Sequence, residues 1–176
     1  MIALLILAAL ITVVILVVAL QPTTFEIKRS TTISVTPELL FPHVNTLRNW
    51  ETWSPWAKLD PNATITYEGT DAGPGASYRW AGNNRVGARR MTIKESKPNE
   101  RVLMDLSFTA PMKANNVTEF VFKPSTGQTQ VTWSMRGHNA FMAKAFGLFV
   151  NVDKMVGKDF EKGLAQLKSQ AEAGGK

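Results

Sequence analysis

Two histidines, two tyrosines, no cysteine and an arginine-rich hairpin are what this 176-residue chain offers for chemistry at neutral pH. His43 and His138 have no Cys or second His at metal-ligand spacing, so neither a structural zinc site nor any other metal is expected. The absence of cysteine excludes disulfides, thiol nucleophiles and thiolate-bound metals, and leaves the compartment open. No Gly-x-Ser-x-Gly elbow is present. Gly73-Pro74-Gly75 is too short for a phosphate loop and opens onto a strand rather than a helix. No catalytic residue and no cofactor is therefore assigned. Proton handling, if there is any, falls to Tyr67, Tyr78 or His138; His138 sits at a strand-to-helix junction, where a capping role is ordinary. Arg89 shares its parity with Met91 and Ile93, which puts a guanidinium on an inner face where an unpaired charge is costly. Either it meets a carboxylate or a ligand headgroup, or it turns to water with Arg85 and Arg90; the solvated rim is the slightly favoured reading.

These side chains need elements to hold them. Thr24 to Ser34 alternates as a strand. Thr36-Pro37 opens a short helix carrying Leu39, Leu40, Val44 and Leu47, which Pro42 should split or kink. Six strands follow, separated by turn signals at 69–75, 82–84, 97–100 and 124–127, and such short links mean an antiparallel meander. The last segment changes period: Phe141, Phe149, Val152, Val156, Phe160, Leu164 and Leu167 form one apolar stripe. It reads as one long helix over 139–173, bent near Gly147. The fold class is α+β, a curved antiparallel sheet of about seven strands against a long C-terminal helix.

A curved sheet around one helix leaves room between them, and strand parity nominates the lining. Tyr67, Tyr78 and Trp80 come from the second and third strands, and Arg89 and Met91 from the fourth. Met104, Leu106 and Phe108 belong to the fifth, Phe120 and Phe122 to the sixth, Trp133 and Met135 to the seventh. Phe146 and Phe149 approach from the helix. Apolar walls with a few polar tips suit a small-molecule pocket, and methionines adapt to varied shapes. Inward aromatics and methionines are also the ordinary makeup of a packed core. Trp50, Trp53 and Trp56 admit three readings: a structural cap on the sheet, a pocket rim, or a membrane-interface belt.

Residues 1–21 stand apart. Met1 to Leu20 carries no charge and only Thr12 as a polar side chain; such a helix rises about 30 Å, the thickness of a bilayer's hydrocarbon core. It reads as a transmembrane anchor for a domain over 22–176. A cleaved signal peptide is the alternative, opposed by the length of the run and the lack of Lys or Arg before it. Lys28 and Arg29 after the run favour a single pass with the domain on the cytoplasmic side. The net charge of +6 suits an anionic leaflet. It does not make a nucleic-acid binder, because no basic recognition helix or known motif is present.

Three stretches carry a resemblance: Asn49-Trp50-Glu51-Thr52-Trp53-Ser54-Pro55-Trp56, Gly73-Pro74-Gly75-Ala76-Ser77-Tyr78-Arg79-Trp80, and Gly157-Lys158-Asp159-Phe160-Glu161-Lys162-Gly163-Leu164. With the element order they resemble the polyketide cyclase/dehydrase and lipid-transport family of the START/Bet v 1-like (SRPBCC) superfamily, some members of which carry an N-terminal membrane segment. The likeness covers nearly the whole chain after Thr23. It implies a helix-grip fold with a hydrophobic pocket, and a function that is either membrane-tethered binding or carriage of a lipid- or polyketide-like molecule, or a cyclase or dehydratase acting on such a substrate. Fold alone does not choose between them.

Overall fold

The computed structural model describes residues 1–83, 87–110 and 113–174. Asn84, Arg85 and Val86 of the expected β3–β4 hairpin lie outside them. Helix α1 (Ile2–Leu20) ends where Gln21 adopts an extended backbone before Pro22. Strand β1 (Thr24–Ile33) leads to α2 (Pro37–Asn45), a single 3-10 turn (Leu47–Asn49) and α3 (Trp50–Trp53). Then come β2 (Thr64–Glu68), β3 (Ser77–Ala81), β4 (Ala88–Lys97), β5 (Arg101–Ala110), β6 (Ala114–Ser125) and β7 (Gln128–His138), followed by α4 (Phe141–Gly147) and α5 (Val152–Gly174).

The seven strands form one antiparallel sheet in the order β1-β7-β6-β5-β4-β3-β2. Every link from β2 to β7 joins neighbours, as the meander requires; β1 alone closes non-locally, on β7, with Thr24 opposite His138. A register shift between Ile93 and Glu95 bulges β4, a device that bends a strand and increases its twist. The turn before β3 depends on glycine. Gly69 has φ +80°, and a Cβ there would lie 2.1 Å from the Gly75 carbonyl oxygen.

Two expectations about the helices are corrected. Helix α2 runs through Pro42 unbroken, because in nine residues the proline forfeits one hydrogen bond while buried Leu40, Phe41 and Val44 hold the helix to the core. The C-terminal segment is two helices rather than one. Asn151 accepts the Lys154 N–H through Oδ1 at 2.8 Å and so starts a new helix, leaving Leu148–Asn151 as the break. Helix α5 packs mainly along β1, with its buried face at Phe160, Leu164, Leu167 and Ala171.

Candidate ligand-binding cavity

The core is filled at one end of the sheet and open at the other. At the filled end, α2 and α3 press aromatic rings onto β6 and β7. Phe41 meets Phe122 edge-on at 5.7 Å, and Trp50 meets Phe120 at 5.6 Å. Both indoles spend their N–H groups on the preceding helix: Trp50 donates to the Val44 carbonyl and Trp53 to that of His43, each at 2.9 Å. Trp133 is the junction. It stacks on Phe120 at 4.8 Å on one side and on Phe160 of α5 at 4.0 Å on the other, nearly parallel at 4°. Its indole donates to Thr118 Oγ1 at 2.9 Å, and that hydroxyl donates to the Ser134 carbonyl at 2.9 Å, so a buried ring has its polar edge satisfied.

Helix α5 comes this close because it carries glycine at the contacts. A Cβ on Gly163 would stand 2.8 Å from Trp133 and 3.0 Å from Pro55. At Gly157 the guanidinium of Arg29 crosses the helix surface. It donates to the Asp153 carboxylate at 3.0 Å and to Glu161 at 2.8 Å, tying β1 to the first turns of α5. Asp153 is correspondingly held below its ordinary carboxylate range by the Arg29 hydrogen bond.

Toward β2, β3 and β4 the helix no longer covers the sheet, and a cavity of about 290 Å³ remains. Its floor is made of cross-strand rows. Ile65, Trp80, Arg89 and Phe108 are register partners in one row; Tyr78, Met91 and Leu106 are partners in the next. Thr118, Trp133 and Met135 continue the wall deeper in. The roof comes from Trp50 and Trp56 of the tryptophan cluster, the loop residues Leu59, Asp60 and Ala63, and Met155, Val156, Asp159 and Phe160 of α5.

Of the residues nominated by parity, Tyr78, Trp80, Arg89, Met91, Leu106, Phe108, Trp133 and Met135 stand on this wall. Met104, Phe120 and Phe122 point to the same side of the sheet but lie under the aromatic plug, fully packed. Tyr67 extends the Tyr78 row by one strand and stands outside the cavity lining. It stacks on Tyr78 at 5.2 Å, donates its hydroxyl to Glu51 and carries the Arg48 guanidinium 4.3 Å above its ring. Phe146 and Phe149 are corrected outright: they belong to α4 and the turn after it, on the protein exterior, because the helix break sends this segment away from the sheet. His138 ends β7 opposite Thr24 and is not part of the cavity. Parity did not identify the roof. The loop at 59–63 has no period to read, whereas the spacing of Val156 and Phe160 was visible in the apolar stripe.

Among the described residues Arg89, half-buried, is the one cation lining the cavity. It turns inward rather than to water. Its guanidinium carbon lies 4.7 Å from the Phe108 ring centroid, and its Nε is buried without a hydrogen-bond partner. Burial pushes its pKa down, and Asp159 across the cavity partly offsets this through space. Burial, with Glu51 nearby, pushes the Tyr78 phenol up to about 12, so at neutral pH it is a donor. Asp60 already accepts the backbone N–H groups of Asn62 at 3.0 Å and Asn83 at 2.7 Å. Among the described residues, no group of three His, Asp or Glu side chains is placed to hold a metal ion.

The geometry can be set beside known proteins. The sequence pattern of the family described as "Polyketide cyclase / dehydrase and lipid transport" matches residues 24–172. No match is found among curated protein sequences. Solved structures share the fold at low identity. A protein of unknown function from Staphylococcus aureus is 17% identical, with a TM-score of 0.62 over 88% of this chain and 97% of its own. The Aha1 dimer from Colwellia psychrerythraea is 16% identical, with a TM-score of 0.60 over 84% and 96%. Ara h 8.0201 is 13% identical, with a TM-score of 0.61 over 85% and 99%.

Proposed function

From the premise that this chain belongs to the polyketide cyclase/dehydrase and lipid-transport family, we propose that its cavity binds or carries a hydrophobic small molecule close to a membrane. The observation that carries this reading is the space of about 290 Å³ beside a packed core, walled by Trp80, Met91, Leu106, Phe108 and Met135 with the half-buried Arg89 guanidinium among them. Burying apolar surface supplies affinity, and a lone polar group fixes orientation. The ligand therefore lies with its apolar body on the β3–β5 floor and a hydrogen-bond-accepting end at Arg89. Helix α1 acts as the tether: it is uncharged, long enough to cross a bilayer, and exposed along nearly its whole length.

A second reading is cyclisation or dehydration of a bound substrate, favoured by the convergence of Tyr78, Arg89 and Asp159 on one space. Native mass spectrometry of the full chain, extracted from membranes in mild detergent, tests the binding reading. The expected result is a discrete apolar adduct that disappears on Trp80→Glu or Phe108→Glu. A wild-type chain that stays apo even when offered long-chain acids, esters and alcohols would overturn it. Release of an altered molecule instead of the loaded one would select the catalytic reading.

A further inference from the structure

Helix α4 has no buried residue, yet it is among the most apolar parts of the chain. After α1, nine large hydrophobic side chains are exposed among the described residues. Five of them fall in nine consecutive positions: Phe141, Met142, Phe146, Leu148 and Phe149, the last 88% exposed. The stretch 139–150 holds one charge, Lys144, and no acid. Such a concentration on a single short segment marks a contact surface, since soluble domains rarely leave contiguous apolar area open.

The topology states what lies next to it. Strand β1 follows α1 after three residues, and its first residue, Thr24, is the register partner of His138 at the end of β7. The links on either side of this pair are hydrogen-bonded to each other: Asn139 N–H donates to the Thr23 carbonyl at 2.8 Å, and Asn139 Nδ2 to the Pro22 carbonyl at 3.2 Å. Helix α4 thus begins at the exit of α1 because of sheet register, independently of its own contacts. Those contacts agree: α4 packs against α1, and Lys144 Nζ donates to the Ala19 carbonyl at 3.3 Å, at the C-terminal end of the apolar helix. Seven helical residues extend about 10 Å, comparable to the depth of a headgroup layer. On the proposed reading of α1 as a membrane tether, on which this inference rests, the whole segment therefore stays within reach of the membrane surface.

We propose that Phe141–Phe149 is a second, in-plane membrane contact, its phenylalanines and Met142 buried at the headgroup–acyl boundary of the leaflet from which α1 emerges. Lys144 then extends to the phosphate level, as basic side chains at such boundaries do. The contact fixes the domain's tilt as well as its distance. It also sets the cavity toward the bilayer, for the segment continues through Val150 into Met155 and Val156, two residues of the cavity wall. A hydrophobic molecule leaving the bilayer meets an apolar path there instead of water.

The chain's lack of cysteine makes the test direct. Single-cysteine variants Met142→Cys and Phe149→Cys of the full chain are spin-labelled and reconstituted in phosphatidylcholine vesicles. Thr126→Cys serves as the aqueous control, in the exposed β6–β7 turn. That turn is about 30 Å from the α1 exit, at some 3.3 Å per residue along β7. Collision with oxygen, which concentrates in lipid, is compared with collision with a water-soluble nickel chelate. The expected result is high oxygen and low nickel accessibility at 142 and 149, with the reverse at 126. Nickel accessibility at 142 and 149 equal to that at 126 overturns the proposal. Protection from both reagents also overturns it, since that marks a protein partner or a second copy on this face.

Discussion

Gly163→Ala sets two effects against each other, and the structure says which wins. In an isolated helix the change stabilises, because alanine is favoured over glycine in a helix interior by about 0.5–1 kcal/mol. In α5 the new methyl would stand 2.8 Å from Trp133 Cζ3 and 3.0 Å from Pro55 Cδ. Neither neighbour is a loose side-chain end. Trp133 is stacked between Phe120 and Phe160 and hydrogen-bonded through Nε1 to Thr118, and Pro55 is a ring in the turn after α3. The helix itself must move outward, and overpacking of this kind costs about 1–3 kcal/mol. The net expectation is a loss of about 1–2 kcal/mol. Urea unfolding of the full chain in mild detergent, followed by tryptophan fluorescence, should show the midpoint falling by about 0.5–1 M for a slope near 2 kcal/mol/M. Gly147→Ala is the control: nothing lies within 4 Å of its added methyl, so its midpoint should hold or rise slightly. A Gly163→Ala midpoint at or above wild type would refute the argument that α5 is seated on Trp133 by the absence of a side chain.

Thr118→Val keeps the shape but removes the acceptor for the buried Trp133 indole, so unfolding should show a loss of about 1–3 kcal/mol, with Thr66→Val on exposed β2 near neutral. Arg89→Gln should weaken binding of dodecanoic acid about tenfold and leave its methyl ester nearly unchanged, measured by displacement of a fluorescent apolar probe; equal losses for both would place Arg89 outside the polar end of the site. The two tyrosines are the chain's only phenols, so the pH-dependent change in absorbance near 295 nm reports their ionisation over a constant tryptophan background. Both pKa values are raised on folding, Tyr78's to about 12, so phenolate should be absent near pH 10 in the folded protein and present in urea. By linkage that contribution to stability is complete below pH 10 and lost as pH climbs from 10 toward 12. Normal titration of both phenols in the folded state would show that the β2–β3 aromatic row is solvated.

The sheet was legible because alternation is unambiguous where one face is buried. Val102, Met104, Leu106 and Phe108 point one way by necessity, and the register pairs the last three with Ile93, Met91 and Arg89, while Val102 faces Ser96 beyond the bulge. Parity says which face a side chain takes, not how far along the strand it sits. Phe120 and Phe122 therefore passed for cavity lining when they are floor beneath α2 and α3. The helix break was written in Asn151-Val-Asp-Lys, a capping residue followed by an acidic first turn, but a continuous apolar stripe hid it. Phe146 and Phe149 fit the stripe's spacing yet point away from the domain, since helical periodicity across a break does not define one face. Arg89 shows the limit of an argument from composition: the crowding of Arg85, Arg89 and Arg90 in one hairpin made a solvated rim the favoured reading, whereas the Phe108 ring and the charge of Asp159 make the inward position tolerable.

That the cavity stays open follows from where α5 is fastened. The helix could close it only by sliding across the sheet from β1 toward β4, and three contacts oppose that movement. Arg29, on β1, holds Asp153 and Glu161 from the edge of the sheet. Trp133 stacks flat on Phe160, a contact that a sideways shift would break. Lys168 donates to the Thr32 carbonyl at 2.9 Å, and Glu172 accepts the Ser34 N–H at 2.8 Å, anchoring the far end of the helix to the same strand. All three act on the β1–β7 side, so over the β2–β4 side the cover is the loop at 54–63 and the edge of α5 at Met155, Val156 and Asp159. The three sequence stretches that carry the family resemblance belong to this arrangement: the tryptophans build the plug, the glycines at 73 and 75 turn the chain into β3, and the glycines at 157 and 163 let α5 sit against Arg29 and Trp133. They maintain a rigid frame around a space, and Tyr78, Trp80, Asp159 and Phe160 from the same stretches also face it. The same frame can be kept while the cavity wall changes, and the ligand is therefore to be sought in the wall side chains, Trp80, Arg89, Phe108 and Asp159 among them.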